Sequence, residues 1–392
     1  IKIERAWEIT TGAPEVIVAV FDTGIDFTHP DLTDNVWIND GEIPGNGIDD
    51  DLNGYIDDVR GWNYCANNGD VRDDHYHGTH VSGTIGAVGG NGQGVVGVAP
   101  NVKIMTLKIL GGSEGCNSSS NVDIKRALEY AADNGATVMN HSWGCRYPGT
   151  PRCQESKTIN DGIEYTQRRG LLFVTSAGNN SSNNDAVRSD FWSSDYPSVT
   201  SVAATTRRDG IAGFSNHGRK TVDLGAPGVA ILSTVPNNGY EYLPGTSMAS
   251  PHVAGAAALI KAFRPNWGYS QIKASLMSGI DPLPALTNRT VSGGRLNIGE
   301  SLSSLFPRWM SIESGGSGTI SPNQSIKVSF LLSGTGLPSG THEGAIEFNF
   351  AGANKFTKAV DIKLNKGSLG LADEASAAEF LQEPRNLSVS SA

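Results

Sequence analysis

A doubly wound α/β fold, with a mostly parallel sheet and helices on both faces, is predicted for most of the chain. A small antiparallel β module is predicted after it. Three observations lead there. Val16 to Phe21 is an unbroken apolar run ending in Asp22, the pattern of a strand buried on both faces of a parallel sheet. Two helix–glycine–strand units then follow one another in mid-chain, which requires right-handed crossovers between parallel strands. Past Phe306 the apolar residues begin to alternate with polar ones, as in half-buried antiparallel strands.

The elements follow in order. His77 to Thr84 reads as a helix start, and Lys103 to Leu110 as a strand. Val122 to Asn134 is a helix with Ile124, Leu128 and Ala131 on one face; Gly135 stands where it should stop, and Thr137 to Asn140 resumes as strand. The unit recurs as a helix over Ile159 to Arg169, a stop at Gly170 and a strand over Leu171 to Thr175. Val199 to Ala204 and Thr221 to Leu224 add strands, and Ser247 to Phe263 is a long helix whose Ala and Gly residues suit close packing. Later strands are read at Ile326 to Leu332, Ala345 to Phe350 and Phe356 to Leu364. The expected division is a domain over 1–305, a small β-sandwich-like module over 306–366 and a weakly ordered tail over 367–392, poor in aromatics and rich in Ser, Ala and Glu.

The chain of 392 residues is 38% hydrophobic, enough for a sizeable core. A net charge of −10 argues against non-specific nucleic-acid binding, which needs a basic face. No apolar run is long enough to span a membrane. The chain begins at Ile1 with no signal peptide, which reads as a processed form or a fragment. Cys65, Cys116, Cys145 and Cys153 have no CxxC spacing. Cys145 and Cys153 lie close in a Gly/Pro-containing loop, which favours pairing them and leaves Cys65 with Cys116. Two disulfides would place the protein outside the cell; four free thiols would place it inside.

Three segments carry candidate chemistry. Asp22 ends a buried strand, where sites form in parallel sheets, though Asp-Thr-Gly also suits a plain turn. His77 opens a glycine-containing helix start and suits a general base; with His75 and His80 nearby, a metal cluster is the rival, although no HExxH is present. Ser247 follows Gly245 at a helix start, where a serine serves either as nucleophile or as N-cap; Pro251 is placed in the first helical turn, where it is tolerated. Taken together they stand in the chain order Asp, His, Ser.

Asp-Thr-Gly-Ile-Asp at 22–26, His-Gly-Thr-His-Val-Ser-Gly-Thr at 77–84 and Gly-Thr-Ser-Met-Ala-Ser-Pro-His-Val-Ala-Gly at 245–255 resemble the motifs of the subtilisin-like serine peptidases. Ser176-Ala177-Gly178-Asn179 resembles that family's oxyanion-hole segment, and the likeness extends over about residues 1–305. It implies Ser247 as nucleophile, His77 as base, Asp22 as its orienting carboxylate and Asn179 as oxyanion donor. It also implies backbone pairing of an extended substrate with Ser142-Trp143-Gly144 and with the stretch near Gly111-Gly112. Ala177-Gly178 and Phe191-Trp192 would wall the primary pocket, and a large ring at Phe191 would favour small or medium side chains. His80 and His252 are read as structural.

Calcium is the expected cofactor. Asp49, Asp51, Asn53 and the Tyr55 carbonyl have the 1, 3, 5, 7 offsets of an EF-hand-type loop, with Gly54 at the sharp turn. Arg60 holds the twelfth position, so Asp57 or Asp58 would complete the shell; a solvated acidic loop is the alternative. The resemblance implies a second calcium at Asp31 with the loop near Gly90 to Val95. The protein is expected to be a secreted monomer that cleaves proteins and is inhibited by its own cleaved propeptide. Competing readings are a catalytically silent binding protein on the same fold and a metal-dependent hydrolase. The C-terminal module resembles small Ig-like β domains appended to some secreted enzymes.

Overall fold

A computed structural model describes residues 1–111, 119–144, 156–186 and 196–305, with the backbone of four strands between 310 and 366. The chain divides into two compact units, Ile1–Leu302 and Ser303–Ala392. In the first unit a short helix α1 (Ile3–Trp7) precedes β1 (Ile17–Asp22), β2 (Gly61–Asn63), α2 (His77–Gly86) and β3 (Lys103–Lys108). There follow α3 (Asn121–Asp133), β4 (Val138–His141), α4 (Lys157–Arg168), β5 (Leu172–Ser176), β6 (Val199–Thr205) and β7 (Leu224–Pro227). A hairpin of β8 (Ile231–Val235) and β9 (Gly239–Leu243) leads into the long helix α5 (Thr246–Phe263). The unit closes with α6 (Tyr269–Ser278), β10 (Ile280–Pro282), β11 (Gly294–Leu296) and α7 (Ile298–Ser303).

The main sheet has the order β10-β11-β7-β6-β5-β4-β1-β3-β2. Its pairs are parallel except for the edge pair β10–β11. The predicted fold class is therefore observed. Strand parity sorts the core. Ala19 and Phe21 of β1, Met105 and Leu107 of β3, Met139 of β4 and Phe173 of β5 form one apolar layer with Ile124, Leu128 and Ala131 of α3 and Ile159 and Ile163 of α4. The alternate residues Val18, Val20 and Asp22 face the other side, where α2 and α5 pack. The helix stops sit where expected, with Gly135 at φ 81° and Gly170 at φ 82°, a conformation glycine adopts without strain.

β1 is the topological pivot. The chain leaves it toward β3 and β2 on one side, and β4 on the other side leads away toward β5. In open α/β sheets ligand crevices form where the strand order reverses, which here is at the carboxyl ends of β1 and β4. Both ends carry predicted site residues, Asp22 and Ser142.

Two predicted strands of the first unit differ by two residues or more, and in the second unit the strand expected from Ala345 begins at Gly340 and that expected from Ile326 begins at Ser329. β3 ends at Lys108 instead of Leu110, because Ile109 and Leu110 both donate their N–H to the Asp22 carbonyl (3.0 and 3.2 Å) and curl over the end of β1. β7 begins at Leu224 instead of Thr221: Val222 N donates to Gly218 O in a turn, and Thr221 N and Oγ1 both bond Asp185. In the second unit Met310–Ser314 pairs antiparallel with Ser329–Leu332, and Gly340–Phe350 pairs antiparallel with Phe356–Lys366. The expected tail over 367–392 lies outside the described residues.

Candidate active site

Asp22 is the last residue of β1, and its parity points it at α2. It is sealed from water: its side chain is 1% exposed, while that of His77 keeps 22%, enough to leave one edge of the ring open. The His77 Nδ1 lies 2.7 Å from Asp22 Oδ1, which also accepts from Thr23 N at 2.8 Å. Two glycines permit this approach. A Cβ on Gly78 would stand 2.2 Å from the Gly24 carbonyl, and Gly24 itself has φ 119°. A side chain at Gly78 would push α2 off the end of β1 and open the pair, and one at Gly24 would run into the backbone of Val71 and Arg72.

Burial works against a charged His77, but the Asp22 charge, its hydrogen bond and the charge of Asp73 outweigh it and hold the imidazole above its ordinary pKa. The N-cap of α2 is Tyr76, which offers no side-chain acceptor. The free amides of the first turn are satisfied from elsewhere: Gly78 N donates to Thr23 Oγ1 (2.9 Å) and Thr79 N to Asp73 Oδ2 (2.9 Å).

Ser247 is the second residue of α5, whose N-cap is Gly245. Its hydroxyl donates to the Ser142 carbonyl at 2.8 Å. Pro251 stands sixth in α5, one turn deeper than predicted. Proline has no N–H to return to the carbonyl four residues back, which here belongs to Ser247. The Ser142 hydroxyl supplies that bond instead, donating to Ser247 O at 2.8 Å. Ser142 Oγ also lies 2.8 Å from Ser250 Oγ and accepts from Asn140 Nδ2 at 2.9 Å. The end of β4 is thus bolted to the start of α5, and α5 packs against α2.

Asn179 follows β5 in an exposed turn. Its Oδ1 accepts from Thr246 N and Thr246 Oγ1, both at 2.9 Å. Those two donors settle which way the amide faces and leave Nδ2 directed away from Thr246. Gly178, beside it, has φ 104°, and its N–H donates to Thr246 Oγ1 at 3.1 Å. Ala177 and Gly178 are buried. Gly111 follows β3, and Trp143 and Gly144 follow β4. Gly112, Phe191, Trp192 and the cysteines other than Cys65 lie outside the described residues. Cys65 is not a free thiol.

The three neighbouring histidines go to separate partners. His77 meets Asp22, His75 stacks on Tyr76, and His80 Nε2 donates to the carbonyls of Ile231 and Glu241 in the hairpin. Burial lowers His80 and His252 each to about 4, so both are neutral. A further histidine, His141 in β4, is fully buried on the opposite face of the sheet. It stacks between Phe21 and Phe173, with centroids at 4.1 and 3.8 Å. Neither ring nitrogen has a hydrogen-bond partner among the described residues, and burial pushes its pKa well below the ordinary value.

The acidic loop brings Asp49 and Asp51 together with Glu42, their ligand atoms all within 4.8 Å of one another. Asp57 and Asp58, one of which was expected to complete the shell, both turn elsewhere. Asp57 accepts from the amides of Gly45, Asn46 and Gly47, and the buried Asp58 accepts from Asn39, Asn53 and Tyr130. Burial raises the Asp58 pKa against the pull of those bonds. Asn53 Oδ1 accepts from Tyr55 N at 2.8 Å, and the Tyr55 ring packs against Trp62 and Tyr130. Three carboxylates and no nitrogen or sulfur donor is the chemistry of a hard-cation site. Asp31 is differently placed. Its carboxylate accepts from Asn91 Nδ2, Val95 N and Tyr240 OH at 2.7, 2.9 and 2.9 Å. No candidate metal group among the described residues includes it.

Sequence reading missed Glu42, Asp73 and Thr246. Asp73 carries a local signal, an acceptor placed just ahead of a helix whose cap residue has none. Glu42 reaches its partners only through the fold of the loop.

A sequence model of the Subtilase family matches residues 13–297. The chain is 37% identical over 304 residues to "Subtilisin-like protease 1" of Plasmodium falciparum (isolate 3D7), covering 73% of this chain and 43% of that one. It is 38% identical over 257 residues to "Thermophilic serine proteinase" of Bacillus sp. (strain AK1), covering 66% and 55%. The chain thus spans about half the length of these relatives. Among solved structures it resembles a protease of Pseudoalteromonas arctica PAMC 21717, with a TM-score of 0.62 at 30% identity over 77% of this chain and 93% of that one. The match covers both strand ends, α2 and the start of α5, and the chain belongs to the subtilase family.

Proposed function

We propose that this protein is a serine endopeptidase that hydrolyses peptide bonds of proteins, with Asp22, His77 and Ser247 as its triad. The observation that carries this is the 2.7 Å Asp22–His77 pair at the reversal point of the sheet, beside a helix that begins at Thr246–Ser247. The Ser247 hydroxyl leaves the Ser142 carbonyl and gives its proton to His77 Nε2 as Oγ attacks the scissile carbonyl carbon. The π electrons of that carbonyl move to its oxygen, and Asn179 Nδ2 and the Ser247 N–H receive the oxyanion. His77 passes the proton to the leaving amine as the C–N bond breaks. Water, deprotonated by His77, then hydrolyses the acyl-enzyme and restores Ser247. Asp22 fixes the Nδ1–H tautomer and stabilises the imidazolium. The substrate's extended backbone pairs with 142–144, at the end of β4, and with the stretch after β3 near Gly111 and Gly112. Ala177, Gly178 and Phe191 line the primary pocket.

Fluorophosphonate labelling with peptide mass mapping tests the reading. A single adduct on Ser247 is expected; folded protein without an adduct would favour a silent binding protein instead. The same map, made without reductant, reads the proposed Cys65–Cys116 and Cys145–Cys153 pairs, which suit a secreted enzyme. No helix among the described residues is long and apolar enough to cross a membrane.

Calcium fits the carboxylates of Glu42, Asp49 and Asp51, with Asn53, Tyr55, Asp57 and Asp58 shaping the loop around them. Bound there, it would cancel the mutual repulsion of the loop and hold it closed. Calcium at 1,000 times its dissociation constant adds about 4 kcal/mol to stability. A chelator is therefore expected to lower Tm by roughly 5–10 °C in calorimetry, and Glu42→Gln to shrink that difference. A Tm indifferent to chelation would remove the site.

A further inference from the structure

We propose that Asp73 is a positioning residue for His77: it locks the helix carrying the imidazole to the strand carrying Asp22 and adds a second negative charge behind the ring. The inference rests on the peptidase reading and deepens it. Asp73 makes four bonds. Its Oδ1 accepts from Thr23 Oγ1 (2.8 Å) and His75 N (3.0 Å), and its Oδ2 from Thr79 N (2.9 Å) and Thr79 Oγ1 (2.6 Å). Thr23 is the residue after Asp22, and its hydroxyl accepts in turn from Gly78 N, the residue after His77. Thr79 Oγ1 accepts from Asp26 N at 3.0 Å, which ties the same helix turn to the loop after β1. One carboxylate thus joins both halves of the Asp–His pair, each through a residue one or two positions away.

It also does what the cap residue does not. Tyr76 leaves the amides of the first turn without a side-chain acceptor, and an anion at a helix N-terminus is the favoured replacement. The charges around the ring are few. Asp22 reaches it from β1 and Asp73 from the loop before α2. Lys108 of β3, at the register position of Asp22, commits its ammonium to the Arg72 carbonyl and Asp74. His80 on α2 and His252 on α5 are neutral, and the first turn of α5 holds no acidic side chain. Asp73 is therefore the second anion available to an imidazolium that forms at each turnover.

The test uses Asp73→Asn, which keeps shape and one acceptor oxygen but removes the charge, and Asp73→Ala, which removes both. The His77 ring protons are followed by NMR against pH in a Ser247→Ala background, where turnover plays no part. The His77 midpoint is expected to move to lower pH in Asp73→Asn, and the acidic limb of kcat/KM to move with it in the active background. Asp73→Ala is expected to lower kcat roughly 10- to 100-fold through misplacement of the ring, with KM little changed. A His77 midpoint unmoved by Asp73→Asn would overturn the proposal, whether or not Asp73→Ala folds. A midpoint that moves in a protein that cleaves no peptide would sustain the Asp73–His77 coupling and sink the peptidase reading instead.

Discussion

Asp22→Asn is expected to lower kcat by about 10⁴-fold with a much smaller change in KM. The Asp22 side chain is isosteric with Asn, so packing around the end of β1 survives. What changes is the proton on the ring. The carboxylate can only accept, so His77 Nδ1 must donate and Nε2 is left free to take the Ser247 proton. An amide can turn its NH₂ to Nδ1, and the ring then carries its proton on Nε2, where no base remains. Even with the amide oxygen toward the ring, the imidazolium loses the anion buried beside it, in a place water cannot reach to compensate. In the proposed mechanism the substrate is held by backbone pairing at other residues, which is why KM should hold. Steady-state kinetics on a peptide substrate checks this; a kcat within tenfold of the parent would show that the pair has no part in proton transfer.

Asn179→Ala is expected to lower kcat by roughly 100- to 1,000-fold, the cost of one oxyanion donor, again with little change in KM. The grip of Thr246 on Asn179 Oδ1 is the reason to expect the full effect. A free amide would spend much of its time turned away and pay to reorient as charge develops. Here two donors hold the oxygen end, so the N–H end is already set. Losing a bond made in the transition state and hardly at all in the ground state lowers kcat and kcat/KM together. A raised KM at constant kcat would instead make Asn179 an ordinary substrate contact.

The parts legible in the sequence are those with local causes. The apolar run before Asp22, the glycine-terminated helices and the three motifs are each a few consecutive residues, and the structure forms them as strand β1 of the main sheet and as helices. The hairpin over 231–243 was passed over in the sequence reading although it has a local signal in Pro236-Asn237-Asn238, whose two asparagines take φ 65° and 58°; residues that accept positive φ mark such turns. The strand at Leu224 was misplaced because Thr221 looks like a strand residue but spends its hydroxyl on Asp185, 36 positions away. Glu42 lay outside the EF-hand-like spacing because it enters from the other arm of its loop. Pro251 shows a subtler limit. Its missing N–H looked harmless at a helix start, yet it lies deep enough to release the Ser247 carbonyl, and the residue that takes that carbonyl, Ser142, is 105 positions earlier.

His141 sets an acid limit on the fold. In the unfolded chain a histidine takes up a proton near pH 6.5; between Phe21 and Phe173, with no acceptor or anion beside it, the folded ring refuses that proton. Below about pH 6.5 the unfolded state binds a proton that the native state does not, so stability present above that pH is lost as pH falls, at up to about 1.4 kcal/mol per unit. His80 and His252 pull in the same direction, so the contribution of His141 is read as a difference. His141→Met keeps the apolar layer filled and removes the titration, and its Tm should fall less steeply than the parent's between pH 7 and pH 5. Parallel Tm curves for the two proteins would mean that the sandwich opens to water before the proton arrives. The same sheet thus carries two imidazoles on its two faces, one held ready to be charged and one denied any charge, and the second determines how far into acid the first can be used.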